Sequence, residues 1–169
     1  MRPRNNLWLG NIMSEFKTAE DILNEKGSEM FTIGSEALVA DAIAFMNKNK
    51  VGAILVRDGA KYVGIWTERD LLKNVLNTGF DPSTAKIGDH MQTKLICAQH
   101  DEGLFHLIDK FLGLRVRHLL IQREGQYIGM LSAGDVMRAA LQQRTEELER
   151  LQDIVKLDYY DEWRWQRKK

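Results

Sequence analysis

The chain of 169 residues has a single cysteine, Cys97, only two prolines, and no surplus of charge, with 24 basic and 24 acidic side chains. One cysteine rules out an internal disulfide. With no CxxC pair and with His90, His100, His106 and His118 scattered, no zinc site is expected. Balanced charge means no global field draws the protein to nucleic acid, so any electrostatic function must be local. No window approaches the roughly 18 apolar residues of a membrane span. The opening, MRPRNNLWLGNIMSEF, lacks the long apolar stretch of a secretory signal, so the cytoplasm is the expected compartment. Residues 1–16 read as an extension, with Met13 a candidate functional start. No His or Cys sits in a pattern of nucleophilic catalysis, which argues against an enzyme.

What is present is a repeat. Residues 51–76 lie over 116–141 at a constant offset of 65 without a gap. Val51 falls on Val116, Leu55 on Leu120, Tyr62 on Tyr127, Gly64 on Gly129, Asp70 on Asp135 and Leu76 on Leu141. Conservative pairs fill in around them, among them Thr67/Ser132 and Lys73/Arg138. In AILVRDGAKYVGIW two apolar runs flank Asp58-Gly59, a hairpin signal, and HLLIQREGQYIGML repeats it around Glu124-Gly125. A helix follows each hairpin, from Thr67 to about Asn77 and from Ser132 past Leu141. Another precedes each, over 35–49 and 100–113, with apolar residues at helical spacing. Short strands at Met30–Ile33 and Leu95–Ala98, and short leading helices at 18–23 and 86–91, complete the units. The fold expected is α/β (α+β): two β-α-β-β-α repeats (17–77 and 86–142) packed with pseudo-two-fold symmetry, joined by a linker at 78–85. Either repeat alone would be marginal; together they bury a shared core.

The junctions GIWTERD and GMLSAGD carry the chemistry. Thr67…Asp70 and Ser132…Asp135 fit the capping box, in which hydroxyl and carboxylate satisfy backbone N–H groups of a first helical turn. Capping alone accounts for one such pair; two in register raise the question of a shared groove.

With these junctions, and with Arg-His entering the second hairpin in RVRHLLI, the chain resembles the tandem CBS-domain pair, or Bateman module, over roughly residues 17–142. It is similar to small stand-alone bacterial proteins made of one such pair. The resemblance implies a regulatory module that binds an adenine nucleotide between its repeats. AMP is the leading candidate, with ADP, ATP, NAD or S-adenosylmethionine as alternatives, and the module is expected to work as a homodimer. By that resemblance Asp70 and Asp135 would read the ribose hydroxyls, while Thr67 and Ser132 would sit beside a phosphate. Arg117 and His118 would reach phosphates, with Arg115 and Arg69 as neighbours and Gly134 leaving room for backbone approach. Adenine would lie against Thr32-Ile33, Cys97-Ala98 or Gly52-Ala53, and Lys26, assigned to a three-residue insertion, would add charge at the rim. His118 also fits a core histidine, and Cys97 a small buried residue.

The repeats differ where it matters. Gly52-Ala53 stands where the second copy has Arg117-His118. If each site draws its cations from its own repeat, the Asp135 site is expected to be the better one. Beyond the module, residues 143–169 continue a helical face through Leu141, Leu148, Leu151 and Val155 and end in the aromatic and basic YYDEWRWQRKK. This segment reads as a dimer-crossing helix, with a tail that docks an unidentified protein, lies on a membrane surface or frays. The rival to a nucleotide sensor is therefore a scaffold acting through its dimer surface and this segment.

Overall fold

The computed structural model describes residues 16–166, with side chains described through residue 152; residues 1–15 of the expected N-terminal extension and the side chains of the aromatic tail lie outside the described residues. In chain order the elements are α1 (Ala19–Lys26), β1 (Thr32–Gly34), α2 (Val39–Asn49), β2 (Ala53–Asp58), β3 (Lys61–Thr67) and α3 (Glu68–Asn74). A 3-10 turn (Ile87–Asp89) follows, then β4 (Cys97–Gln99), α4 (Leu104–Leu114), β5 (His118–Arg123), β6 (Gln126–Ser132) and α5 (Ala133–Gln166). Two three-stranded sheets result, ordered β1-β2-β3 and β4-β5-β6, each with one parallel and one antiparallel pair.

The duplication extends to backbone detail. The ladder slips between Val56 and Arg57 in one hairpin and between Ile121 and Gln122 in the other. α2 ends on Lys50 and α4 on Arg115, both left-handed at φ 53°. The Glu124-Gly125 turn has positive φ at both residues, the pattern of a type I′ hairpin. The first hairpin turns on Gly59-Ala60, one residue later than the Asp58-Gly59 read from sequence, because Asp58 still pairs with Lys61.

Several boundaries contract relative to the sequence reading. The short strands begin at Thr32 and Cys97, although Phe31 and Ile96 still accept ladder bonds from Leu55 and Leu120. Helices α2 and α4 start at Val39 and Leu104, since Ser35–Leu38 and His100–Gly103 spend their backbone groups in turns and a β-bridge. α3 stops at Asn74 and passes through turns toward the linker, whereas its counterpart α5 runs for 34 residues.

Each repeat completes its core with the other's leading segment. Ala19, Ile22 and Leu23 of α1 are buried against Leu104, Leu107, Leu119, Leu131 and Val136 of the second repeat. Ile87, with Phe80, Ala85 and Met91 beside it, packs with Val39, Ile54, Val56 and Trp66 of the first. The docking bonds correspond as well. Ala19 N–H donates to the Glu102 carbonyl and Leu104 N–H to the Lys17 carbonyl, while Ile87 N–H donates to Ala37 and Val39 N–H to Ala85. Glu20 adds a bond to His100 and an ion pair with Arg123. Between the hairpins Tyr62 and Tyr127 meet edge to face with centroids 5.7 Å apart, which supports the packing role their recurrence suggests.

Candidate functional site

The equivalent glycines of the two hairpins admit these exchanged segments. A Cβ on Gly64 would lie 2.4 Å from Met91 Sδ and 2.9 Å from the Gln92 carbonyl; one on Gly129 would meet Leu23 at 2.7 Å. Because position 64 has no side chain, residues 91–92 lie directly on β3. There Ile65 and Gln92 exchange backbone bonds in both directions, at 2.9 and 2.8 Å. That contact aims Gln92 at Asp70, and the amide Nε2 donates to Asp70 Oδ1 over 2.8 Å.

Asp70 is buried, 4% exposed, at the start of α3. Its Oδ2 accepts from the Thr67 backbone N–H at 3.1 Å and from the Thr67 hydroxyl at 2.7 Å, and Lys73 approaches Oδ1 at 3.4 Å. Above it opens a cleft of about 290 Å³ between the repeats. The first repeat contributes Ile65, Thr67, Arg69, Asp70 and Lys73; the second contributes Arg115, Val116, Arg117, His118, Leu120 and Met130, and the segment before β4 adds Gln92, Lys94, Leu95 and Ile96. Five basic side chains therefore face one carboxylate, and one wall is apolar. His118 is largely desolvated, and with Lys26 and Arg117 also opposing a proton its pKa falls to about 4 despite the attraction of Asp135. The ring is neutral at pH 7 and acts as a hydrogen-bonding group, so the cationic part of the Arg-His pair is Arg117.

Asp135 has a different environment. Its Oδ2 accepts from the Ser132 N–H at 2.8 Å, the Ser132 hydroxyl at 2.7 Å and Lys26 Nζ at 2.7 Å. Burial pushes this carboxyl upward, but the bonds from Lys26 and Ser132 and the Lys26 charge outweigh it and hold the pKa below the ordinary value. Lys26 is the last residue of α1, and it also donates to the Met130 carbonyl at 2.9 Å.

The cleft thus brings together Thr67, Arg69, Asp70, Arg115, Arg117 and His118. The basic residues of the second repeat line the cleft of Asp70 in the first, so the premise that each site draws its cations from its own repeat, on which the preference for Asp135 rested, does not hold. The strand residues expected to face adenine do not line this cleft. Ala53 and Ala98 are buried in the sheets, Ile33 packs in the first core, and Thr32 lies with it on β1. Cys97 faces the Tyr127 hydroxyl at 3.9 Å, and Gly52 is covered by the Glu68 carboxylate. The apolar wall comes instead from Leu95 and Ile96, because β4 starts two residues later than expected. Gly134 is exposed, with Ser132 Oγ 3.6 Å from where its Cβ would be. Sequence reasoning missed Lys73, Gln92 and Lys94 as cleft residues; the signal was available in the offset, once each carboxylate is assigned to the opposite repeat's strand entry.

Comparison with known proteins follows the same division. The model of the CBS domain matches twice, at residues 19–77 and 87–142. A mitochondrial CBS domain-containing protein of Arabidopsis thaliana is 30% identical over 154 residues, which span 86% of this chain and 75% of that protein. A crystal structure of a CBS-domain containing protein from Agrobacterium tumefaciens, 30% identical, superposes with a TM-score of 0.69 over 73% of this chain and 92% of its own. The CBS domain pair of protein MJ0100, solved with 5′-methylthioadenosine and S-adenosyl-L-methionine, shares the fold at a TM-score of 0.62 and 21% identity, over 73% and 94% of the two chains. No helix among the described residues is long and apolar enough to cross a membrane.

Proposed function

The chain belongs to the CBS-domain family, and from that premise we propose that it is a regulatory module that binds an adenine nucleotide in the cleft at Asp70 and passes occupancy on through the geometry of a homodimer. The observation that carries this reading is the meeting of one buried carboxylate, five basic side chains and an apolar wall in one cleft between repeats. A carboxylate offers about four acceptor sites. Thr67 gives Oδ2 of Asp70 two donors and Gln92 gives Oδ1 one, so a ribose hydroxyl would take the fourth position, the one Lys73 approaches at 3.4 Å. Arg115 and Arg117 supply forked donors suited to phosphate oxygens, with Lys73 and Lys94 as further charges. Ile65, Leu95, Ile96 and Met130 give a purine a flat apolar surface.

The adenosine ligands of MJ0100 support the nucleoside half of this reading. The surplus of basic groups favours phosphate-bearing ligands, AMP, ADP, ATP or NAD, over S-adenosylmethionine, whose sulfonium is itself positive. Differential scanning fluorimetry tests it. At a ligand concentration 100 times Kd the folded state gains about 2.7 kcal/mol, visible as a rise in Tm that Asp70→Ala abolishes. No shift with any of these nucleotides at millimolar concentration overturns the reading.

The exposed Leu148 and Leu151 on the part of α5 that leaves the module, continuing from exposed Met137 and Leu141, favour a second reading as a nucleotide-independent scaffold. Removal of residues 143–169 separates the two. A scaffold loses its dimer or partner, whereas a sensor keeps its ligand.

A further inference from the structure

The charge of the Asp70 cleft is unbalanced in a way that bears on the ionic form of its ligand. Asp70 is the sole carboxylate among the lining residues, and its oxygens are already engaged. Thr67 donates to it twice and Gln92 once, and Lys73 pairs with it at 3.4 Å. The other four basic residues of the lining, Arg69, Lys94, Arg115 and Arg117, form no ion pair among the described residues. All four are exposed, which puts them at the open side of the cleft. Lys73 is itself 61% exposed and makes the longest of the Asp70 contacts. A ribose hydroxyl that takes its place frees it as a further cation.

A terminal phosphate carries about two negative charges and each bridging one about one, so a nucleoside triphosphate brings about four and AMP about two. The triphosphate matches the unpaired set, and two arginines in it supply forked donors for its oxygens. Mg²⁺ spoils that match twice. It cancels about half of the triphosphate's charge, and it occupies the β- and γ-oxygens that the cations would otherwise take. The cleft offers the ion nothing in return. Proteins hold Mg²⁺ through carboxylates together with substrate phosphates, whereas here Asp70 is filled by its own neighbours and unpaired cations repel a metal. Among the described residues, no group of three or more His, Cys, Asp or Glu side chains could hold a metal ion.

We propose that the cleft takes its nucleotide as the metal-free polyanion, so that Mg²⁺ lowers occupancy by drawing the triphosphate away. Occupancy then follows the nucleotide that is not complexed with metal, rather than the total. The inference rests on the nucleotide reading of the Asp70 cleft and adds to it the ionic form of the ligand. Isothermal titration calorimetry of the full chain tests it, with ATP and AMP each titrated in EDTA and in excess Mg²⁺. Ionic strength is matched between the buffers, because salt alone screens exposed charges. ATP binds at least tenfold more tightly in EDTA than in Mg²⁺, and in EDTA more tightly than AMP. The Kd of AMP, which chelates Mg²⁺ weakly, changes less than twofold. Lys94→Glu weakens ATP binding in EDTA at least tenfold. A smaller penalty from Mg²⁺ on ATP, an equal penalty on AMP, or a smaller loss in Lys94→Glu each overturns the metal-free claim while the nucleotide reading stands. No heat and no rise in Tm with ATP, ADP, AMP or NAD in either buffer overturns both.

Discussion

Gln92 and Asp70 lie on opposite sides of the duplication, yet the amide of one donates to the carboxylate of the other over 2.8 Å. The bond exists because residues 91–92 are laid along β3, where Gly64 leaves their backbone room. The same side chain that closes the seam between repeats therefore forms part of the candidate site, which links packing to ligand response.

Gly64→Ala is expected to separate those two roles poorly. A methyl group there meets Met91 and the Gln92 backbone carbonyl, so the seam must shift, at a cost of about 1–3 kcal/mol. Urea denaturation reads the stability loss, and calorimetry with ATP should show weaker binding in the same protein. A variant as stable as wild type would mean the seam is softer than the geometry indicates.

Leu23→Ala tests the exchange of leading segments. Leu23 is 2% exposed, and its loss should cost about 2–5 kcal/mol. Hydrogen exchange locates the effect. Amides of β5 and β6, some hundred residues away in sequence, should lose protection at least as much as those of β2 and β3.

His118 sets an acid limb. Its folded pKa of about 4 lies below the ordinary 6.5, so the unfolded chain binds the extra proton between these values. The contribution is fully present above about pH 6.5 and is lost as pH falls toward 4, up to about 3 kcal/mol. The urea midpoint of wild type should therefore fall relative to that of His118→Gln as pH drops through this window. Asp135, its pKa lowered chiefly by Lys26 and Ser132 against the effect of burial, acts at lower pH. The stability it adds is present above its unfolded pKa and disappears as pH falls through the folded one, so Asp135→Asn should flatten only the most acidic part of the curve.

Arg117→Ala should weaken ATP binding about tenfold and reduce its salt dependence, while binding of adenosine, which has no phosphate, changes little. Equal losses for both would place Arg117 away from the phosphates.

The repeats, the hairpins and the extension of the last helix were legible because period, turn glycines and offset all report local geometry. The duplication likewise exposed Asp70 and Asp135 as equivalents. What the sequence did not disclose was pairing across the seam. Nothing local to Arg117 indicates that its cleft partner is Asp70 rather than Asp135, and nothing local to Lys26 marks it as the neighbour of Asp135. Both depend on α1 and the Ile87 turn crossing to the opposite sheet, a tertiary choice made by Leu23 and Ile87 finding their burial there. The contracted strands have a similar origin: Leu95 and Ile96 are apolar enough for a strand, but they serve as cleft wall.

The crossing of α1 and the Ile87 turn also bears on how the polypeptide can be divided. Cut in the connection near Ser83, it would give two fragments, each short of one plug for its own interior and carrying the plug that fits the other. Neither should hold its shape in isolation. Mixed, they should reassemble without a covalent join, which makes the pair a natural split reporter of whether the two halves are in register.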